Sequence, residues 1–71
     1  MENHIYLSRL GEKIRDLRKD MGRTQEEFAQ DIGVSRLVVL KIEAGSANSS
    51  ITRLRDIARA LRVELKDLVT L

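Results

Sequence analysis

The chain has no cysteine, no proline and a single histidine, and its longest apolar run is the four residues Leu37–Leu40. Without cysteine neither a disulfide framework nor a thiolate metal site can be built, which fits an intracellular protein. Four consecutive apolar residues fall far short of a membrane span. The N-terminal MENHIYLSRLGEK lacks the basic-then-apolar layout of a signal peptide, so a cytoplasmic location is expected. His4 stands alone near the terminus as a solvated residue. No Ser, His and acid constellation, paired-carboxylate cleft, metal-ligand cluster or glycine-rich phosphate loop accompanies it. An enzyme is therefore not expected, nor is a cofactor or a bound metal.

What is present bounds the architecture. The 71 residues make one domain, 1–71. A chain of this size buries only about 60% of the surface it exposes when unfolded, so its stability is marginal. Thirteen Lys and Arg oppose eleven Asp and Glu, a net charge of +2 that alone argues for no polyanionic partner. The distribution says more. Residues 24–34 carry Glu26, Glu27 and Asp31 without a positive charge, while residues 1–23 hold six basic side chains and residues 51–66 hold five. Each such side chain taken singly is an ordinary solvated residue; together they are basic stretches flanking an acidic one.

Apolar spacing is helical throughout. Leu10, Ile14, Leu17 and Met21 predict a helix over 8–21, with Ser8 or Asn3 as the cap and Gly22 as the stop. Thr24 with Glu27 three residues on is a capping box, in which each side chain bonds the other residue's free backbone N–H. It opens a second helix of about two turns with the stripe Phe28, Ala29, Ile32, closed at Gly33. Ser35 is the N-cap of a third helix, whose inward side is marked by Val39 and Ile42 and whose end is Gly45. After the polar loop SANSS, Ser50 caps a fourth helix with Ile51, Leu54, Ile57, Ala58 and Leu61 as its stripe. Residues 64–71 form a last short segment carrying Leu65, Leu68, Val69 and Leu71. No strand alternation, repeat or linker interrupts this, and the expected fold is all-α, a compact bundle of five helices.

The stretch TQEEFAQDIGVSRLVVLKIEAG, residues 24–45, joins two short capped helices across one glycine. Two short helices joined by a turn of three to four residues containing Gly form a helix-turn-helix unit. Ala29, four residues before Gly33, suits the close crossing of the two helices, and Val39 with Ile42 closes the small core beneath the turn.

Together, LGEKIRDLRKDMGRTQEEFAQDIGVSR, IEAG and LRDIARAL resemble the Xre-type helix-turn-helix domain of phage repressor and Cro proteins, with the similarity covering about residues 9–69. The resemblance implies a lambda-repressor-like fold whose third helix enters the DNA major groove, bound as a homodimer to a palindromic operator. It makes Gln25 a phosphate contact at a helix N-terminus. It puts Ser35, Arg36, Leu37 and Lys41 at base edges or nearby phosphates. Arg18 and Glu43 match a pair that ties the first helix to the end of the third.

Several residues depart from that pattern. Leu37 and Leu40 stand on or near the DNA side where polar residues are usual; Leu37 either touches a thymine methyl or simply faces solvent. Arg23 replaces an apolar residue before the capping Thr, losing a hydrophobic staple and gaining a candidate phosphate contact. Arg62 and Glu64 replace a Gly and a small capping residue between helices four and five, and a left-handed Arg62 costs on the order of 1 kcal/mol. Asn48 is a candidate for the DNA backbone or for turn formation.

These features lead to the expectation of a stand-alone transcriptional regulator, associated with the nucleoid when bound to double-stranded DNA and repressing its own or an adjacent operon. Phage repressors, restriction-modification controllers and autorepressing antitoxins share this design. The competing expectations are an antitoxin whose main work is a toxin-binding interface built from Leu37, Leu40, Leu68 or Leu71, and a bridging cofactor that binds transcription proteins more than DNA. Five of the nine residues from Val63 onward are apolar. More of them are present than one stripe of so short a helix can bury, so Leu68, Val69 and Leu71 are expected at a two-fold interface and Leu65 in the core.

Overall fold

Helix α1 spans Glu2–Asp20, α2 Gln25–Ile32, α3 Arg36–Glu43, α4 Ile51–Leu61 and α5 Leu65–Val69 in a computed structural model that describes residues 2–71, with side chains from residue 4 onward. There is no strand among the described residues, and the expected all-α bundle of five helices is the fold. The stripes read from the sequence converge except at Ile51, which stands at the very start of α4, beyond its packed turns, and is 63% exposed. Leu10 and Ile14 of α1, Phe28, Ala29 and Ile32 of α2, Val39 and Ile42 of α3, Ile57, Ala58 and Leu61 of α4 and Leu68 of α5 form one buried cluster. Leu17, Met21, Val34, Val38, Leu54 and Leu65 pack around its edge.

Four helices end in the same way. At the end of α2 the Gly33 N–H donates to the Gln30 carbonyl at 3.2 Å and the Val34 N–H to that of Ala29 at 2.9 Å. This Schellman closure requires the left-handed backbone seen at Gly33, φ 74° and ψ 34°. The ends of α1 and α3 repeat it around Gly22 and Gly45. At the end of α4 the N–H groups of Arg62 and Val63 reach the carbonyls of Arg59 and Ala58 at 3.1 and 3.0 Å, but the left-handed residue, φ 60° and ψ 38°, is Arg62. The closure is retained without glycine. Glu64 then stands at the N-cap of α5 with no side-chain capping bond.

Helix α1 is longer than its apolar stripe predicts. Ser8 is not a cap; it lies inside the helix, where its backbone and hydroxyl press on Gly45, and a Cβ on Gly45 would come within 2.6 Å of the Ser8 Cα. Asn3, the alternative cap, likewise falls inside α1, which already runs from Glu2. One turn on, Gly11 faces the end of α3, and a Cβ there would meet the carbonyl oxygens of Ile42 and Glu43 at 2.5 Å. A glycine inside a helix weakens it; here it lets the α1 backbone approach the C-terminus of the third helix.

The early turns of α1 also hold the C-terminal helix. The Tyr6 hydroxyl donates to the Val69 carbonyl at 2.8 Å, and the Lys13 ammonium donates to the carbonyls of Asp67 and Thr70. So anchored, α5 turns Leu68 fully inward while Leu65 is only partly buried. Leu65 packs against the core as expected, but the expectation that Leu68 faces a partner is corrected: Leu68 is spent within its own domain, leaving part-buried Val69 and exposed Leu71 on the outside.

Candidate nucleic-acid interface

The geometry of α2 and α3 follows from their caps. The Thr24 N–H donates to Glu27 Oε1 at 2.9 Å and the Glu27 N–H to Thr24 Oγ1 at 3.1 Å, completing the capping box. The bond from the Thr24 N–H, aided by the Arg23 cation, holds the Glu27 carboxyl below its ordinary pKa of 4.5. Ser35 accepts from the Val38 N–H at 3.4 Å and so starts α3. That bond uses a lone pair and leaves the Ser35 hydroxyl proton free to donate outward.

With 3.6 residues per turn, the inward positions Val39 and Ile42 put Leu37, Leu40 and Lys41 on the opposite side of α3. All three are exposed, as are Ser35 and Arg36 at the start of the helix. The α3 residues expected at base edges thus lie together on one open face. The exposure of Leu37 and Leu40 is 58% and 38%.

Beneath this face runs a chain of charged and polar groups. Arg18 donates from Nε to Glu43 Oε2 at 2.7 Å and from Nη2 to Oε1 at 3.1 Å, a fork-to-fork pair with both residues buried. Its remaining Nη1 donates to the Arg23 carbonyl at 2.8 Å. Gln25 donates from Nε2 to Glu43 Oε1 at 3.1 Å, and Arg36 Nη2 reaches Gln25 Oε1 at 3.4 Å. Among the described residues no buried side-chain nitrogen or oxygen lacks a partner. The Arg18–Glu43 pair joins α1 to the end of α3, as the family resemblance implies. The link onward through Gln25 to Arg36 was not foreseen, because only the fold brings the first turns of α2 and α3 together.

Arg23 is placed differently from the expectation. Its guanidinium forks onto Asp31, Nε to Oδ2 at 3.0 Å and Nη2 to Oδ1 at 2.8 Å, and lies 3.8 Å from Glu27 Oε2. The Asp31 hydrogen bond chiefly raises its pKa further. In the free chain the Arg23 fork is thus occupied by a carboxylate on α2, an exposed ion pair that a phosphate would have to displace. Asp31, eight residues along, carried no local sign of this partnership. Asn48 is exposed in the loop after α3, beside a cavity of about 200 Å³ lined also by Tyr6, Leu7, Leu10, Ser49 and Leu54.

A capped two-turn helix, a glycine turn and a second capped helix with one open face define a helix-turn-helix domain. Residues 14–68 match the helix-turn-helix family model HTH_3, and the chain belongs to this Xre-like family. An uncharacterized HTH-type transcriptional regulator of Methanothermobacter thermautotrophicus is 41% identical over 59 residues, 82% of this chain and 86% of that protein. A second from Archaeoglobus fulgidus is 38% identical, covering 79% of this chain and 80% of that one. Among solved structures, the restriction-modification controller protein C.AhdI of Aeromonas hydrophila superposes with a TM-score of 0.89 at 31% identity, over 96% of this chain and 99% of that one. The clp gene regulator ClgR of Corynebacterium glutamicum superposes at 0.86 with 28% identity, over 90% of this chain and 82% of that one. No helix among the described residues is long and apolar enough to cross a membrane.

Proposed function

We propose that this helix-turn-helix transcriptional regulator binds a palindromic DNA operator as a homodimer and represses its own or an adjacent operon. The observation that carries the reading is the outward face of α3, where Ser35, Arg36, Leu37 and Lys41 stand exposed on a helix seated by Val39, Ile42 and the buried Arg18–Glu43 pair. A helix so presented fits a major groove, while α2 lies across the phosphate backbone. Gln25 and Asn48 are the proposed phosphate contacts. The likeness to C.AhdI along nearly the full length of both chains supports a controller-type role.

Binding to a selected palindromic duplex is expected to weaken steeply with salt, because each phosphate neutralised by Lys or Arg releases counterions. A slope of log K against log salt near zero would refute the proposal. Arg36→Ala and Lys41→Ala should each relax base preference at a cost of about 1–3 kcal/mol, whereas Gln25→Ala should weaken specific and random duplexes alike. Equal losses on both kinds of DNA for all three variants would remove the residue assignment. Urea denaturation of Gln25→Ala is the control, because Gln25 also supports Glu43.

A further inference from the structure

Leu37 and Leu40 are one helical turn apart on the open face of α3, and the core does not use them. Arg36 precedes them, Lys41 follows, and the charged Arg36 is drawn toward α2 by Gln25. A pair of leucines between two cations is poorly matched to a wholly apolar partner surface. It suits a polyanion with small apolar groups set between its phosphates. In the major groove such a group is the methyl on C5 of a pyrimidine, carried by thymine and by 5-methylcytosine; every other base edge there is polar or bare.

Resting on the DNA-binding reading above, we propose that Leu37 and Leu40 form a methyl-reading patch that makes recognition depend on a pyrimidine C5 methyl in each half-site. Apolar contact is the only chemistry these side chains offer, so the discrimination is between a methyl and a hydrogen at one ring position. Arg36 and Lys41 supply the polar contacts that orient the helix over it. Removing one buried methyl forfeits about 0.8 kcal/mol, which is about four-fold in affinity for each half-site.

The test begins with a site selected from a random duplex library. That duplex is synthesised with thymine, with deoxyuridine replacing thymine, and with 5-methylcytosine replacing cytosine. The wild-type protein is expected to lose about four-fold per half-site on the deoxyuridine duplex, or to gain a similar factor on the methylcytosine duplex. The first response assigns the contact to thymine, the second to methylated cytosine. Leu37→Ala with Leu40→Ala is expected to flatten whichever response is seen, and both positions are exposed enough that urea denaturation should show an intact fold. Specific binding that is indifferent to all three chemistries would overturn the methyl-reading patch while leaving the DNA reading in place. A methyl response that persists in the double variant would overturn the assignment to these leucines. Failure to select any bound sequence would sink both readings. Loss of binding to a protein partner in the double variant, with DNA affinity and methyl response unchanged, would give the leucines to that partner instead.

Discussion

At the scale of single residues, Arg62 goes against local preference and Glu27 follows it, with effects opposite in sign. Arg62 adopts the left-handed conformation that Gly33 adopts at the equivalent stop of α2. A side chain there crowds its own carbonyl, at about 1–2 kcal/mol, partly offset because glycine is freer in the unfolded chain. Arg62→Gly should therefore raise stability by about 1 kcal/mol. Gly33→Ala, with nothing within 4 Å of the added Cβ, should lower it by a similar amount through backbone strain alone. Urea midpoints at unchanged slope measure both; a destabilised Arg62→Gly would show that the arginine side chain contributes more than its backbone costs. Glu27 is the second case. Its carboxyl is held below 4.5 by the Thr24 N–H and then by Arg23, so the stability it contributes is present above 4.5 and is lost as pH falls through its lower folded value. Glu27→Gln keeps an acceptor for Thr24 but removes the charge. The variant should melt at a lower temperature than wild type at pH 6, with the gap closing under acid; a gap constant from pH 6 to pH 2.5 would remove the charge from the account.

At the scale of helices, the parts legible in sequence are those fixed within one or two turns. Thr24 with Glu27, Ser35, Ser50 and the glycine stops were readable because a cap is a contact between residues three or four apart. What could not be read depends on another element. Ser8 has the chemistry of a cap yet lies mid-helix against Gly45; Gly11 reads as a weak point in α1 and is the place where α3 docks. In α5, Leu65 and Leu68 share the inward face, and the bonds from Tyr6 and Lys13 seat the helix so that Leu68 is fully buried while Leu65 packs at the edge of the core. The open face of α3 was legible because Val39 and Ile42 fix its rotation, but the path from Arg18 to Arg36 through Gln25 was not. That path makes the placement of α3 depend on α1. Removing either Arg18 or Glu43 leaves a buried charge unpaired and should cost about 3–5 kcal/mol. The double variant Arg18→Met with Glu43→Leu should cost clearly less than the sum of the singles. Additive losses in that double-mutant cycle would mean that the two residues act independently.

At the scale of the whole molecule, one copy measures 31 × 24 × 22 Å and carries one helix-turn-helix. Successive major grooves on one DNA face are about 34 Å apart, so the proposed reading of two half-sites takes a second copy, which a two-fold axis would supply. With Leu68 consumed by its own core, the proposed contact shifts to what α5 leaves outside and to the α1 turn bound to it: Val69, Leu71 at 41% exposure and Tyr6 at 39%. So few partly exposed apolar side chains favour an interface at or below about 1,200 Å², the weak end of the range, which couples dimerisation to DNA. Sedimentation equilibrium across the micromolar range is expected to show monomer and dimer in exchange, shifted to monomer by Val69→Asp with Leu71→Asp. Leu68→Asp is the control of opposite kind: it should unfold the domain, because it buries a carboxylate without a partner in the core. A folded Val69→Asp, Leu71→Asp variant that dimerises like the wild type would move the two-fold axis to another face, and a mass that stays monomeric at every concentration, with and without operator DNA, would remove the dimer from the proposal.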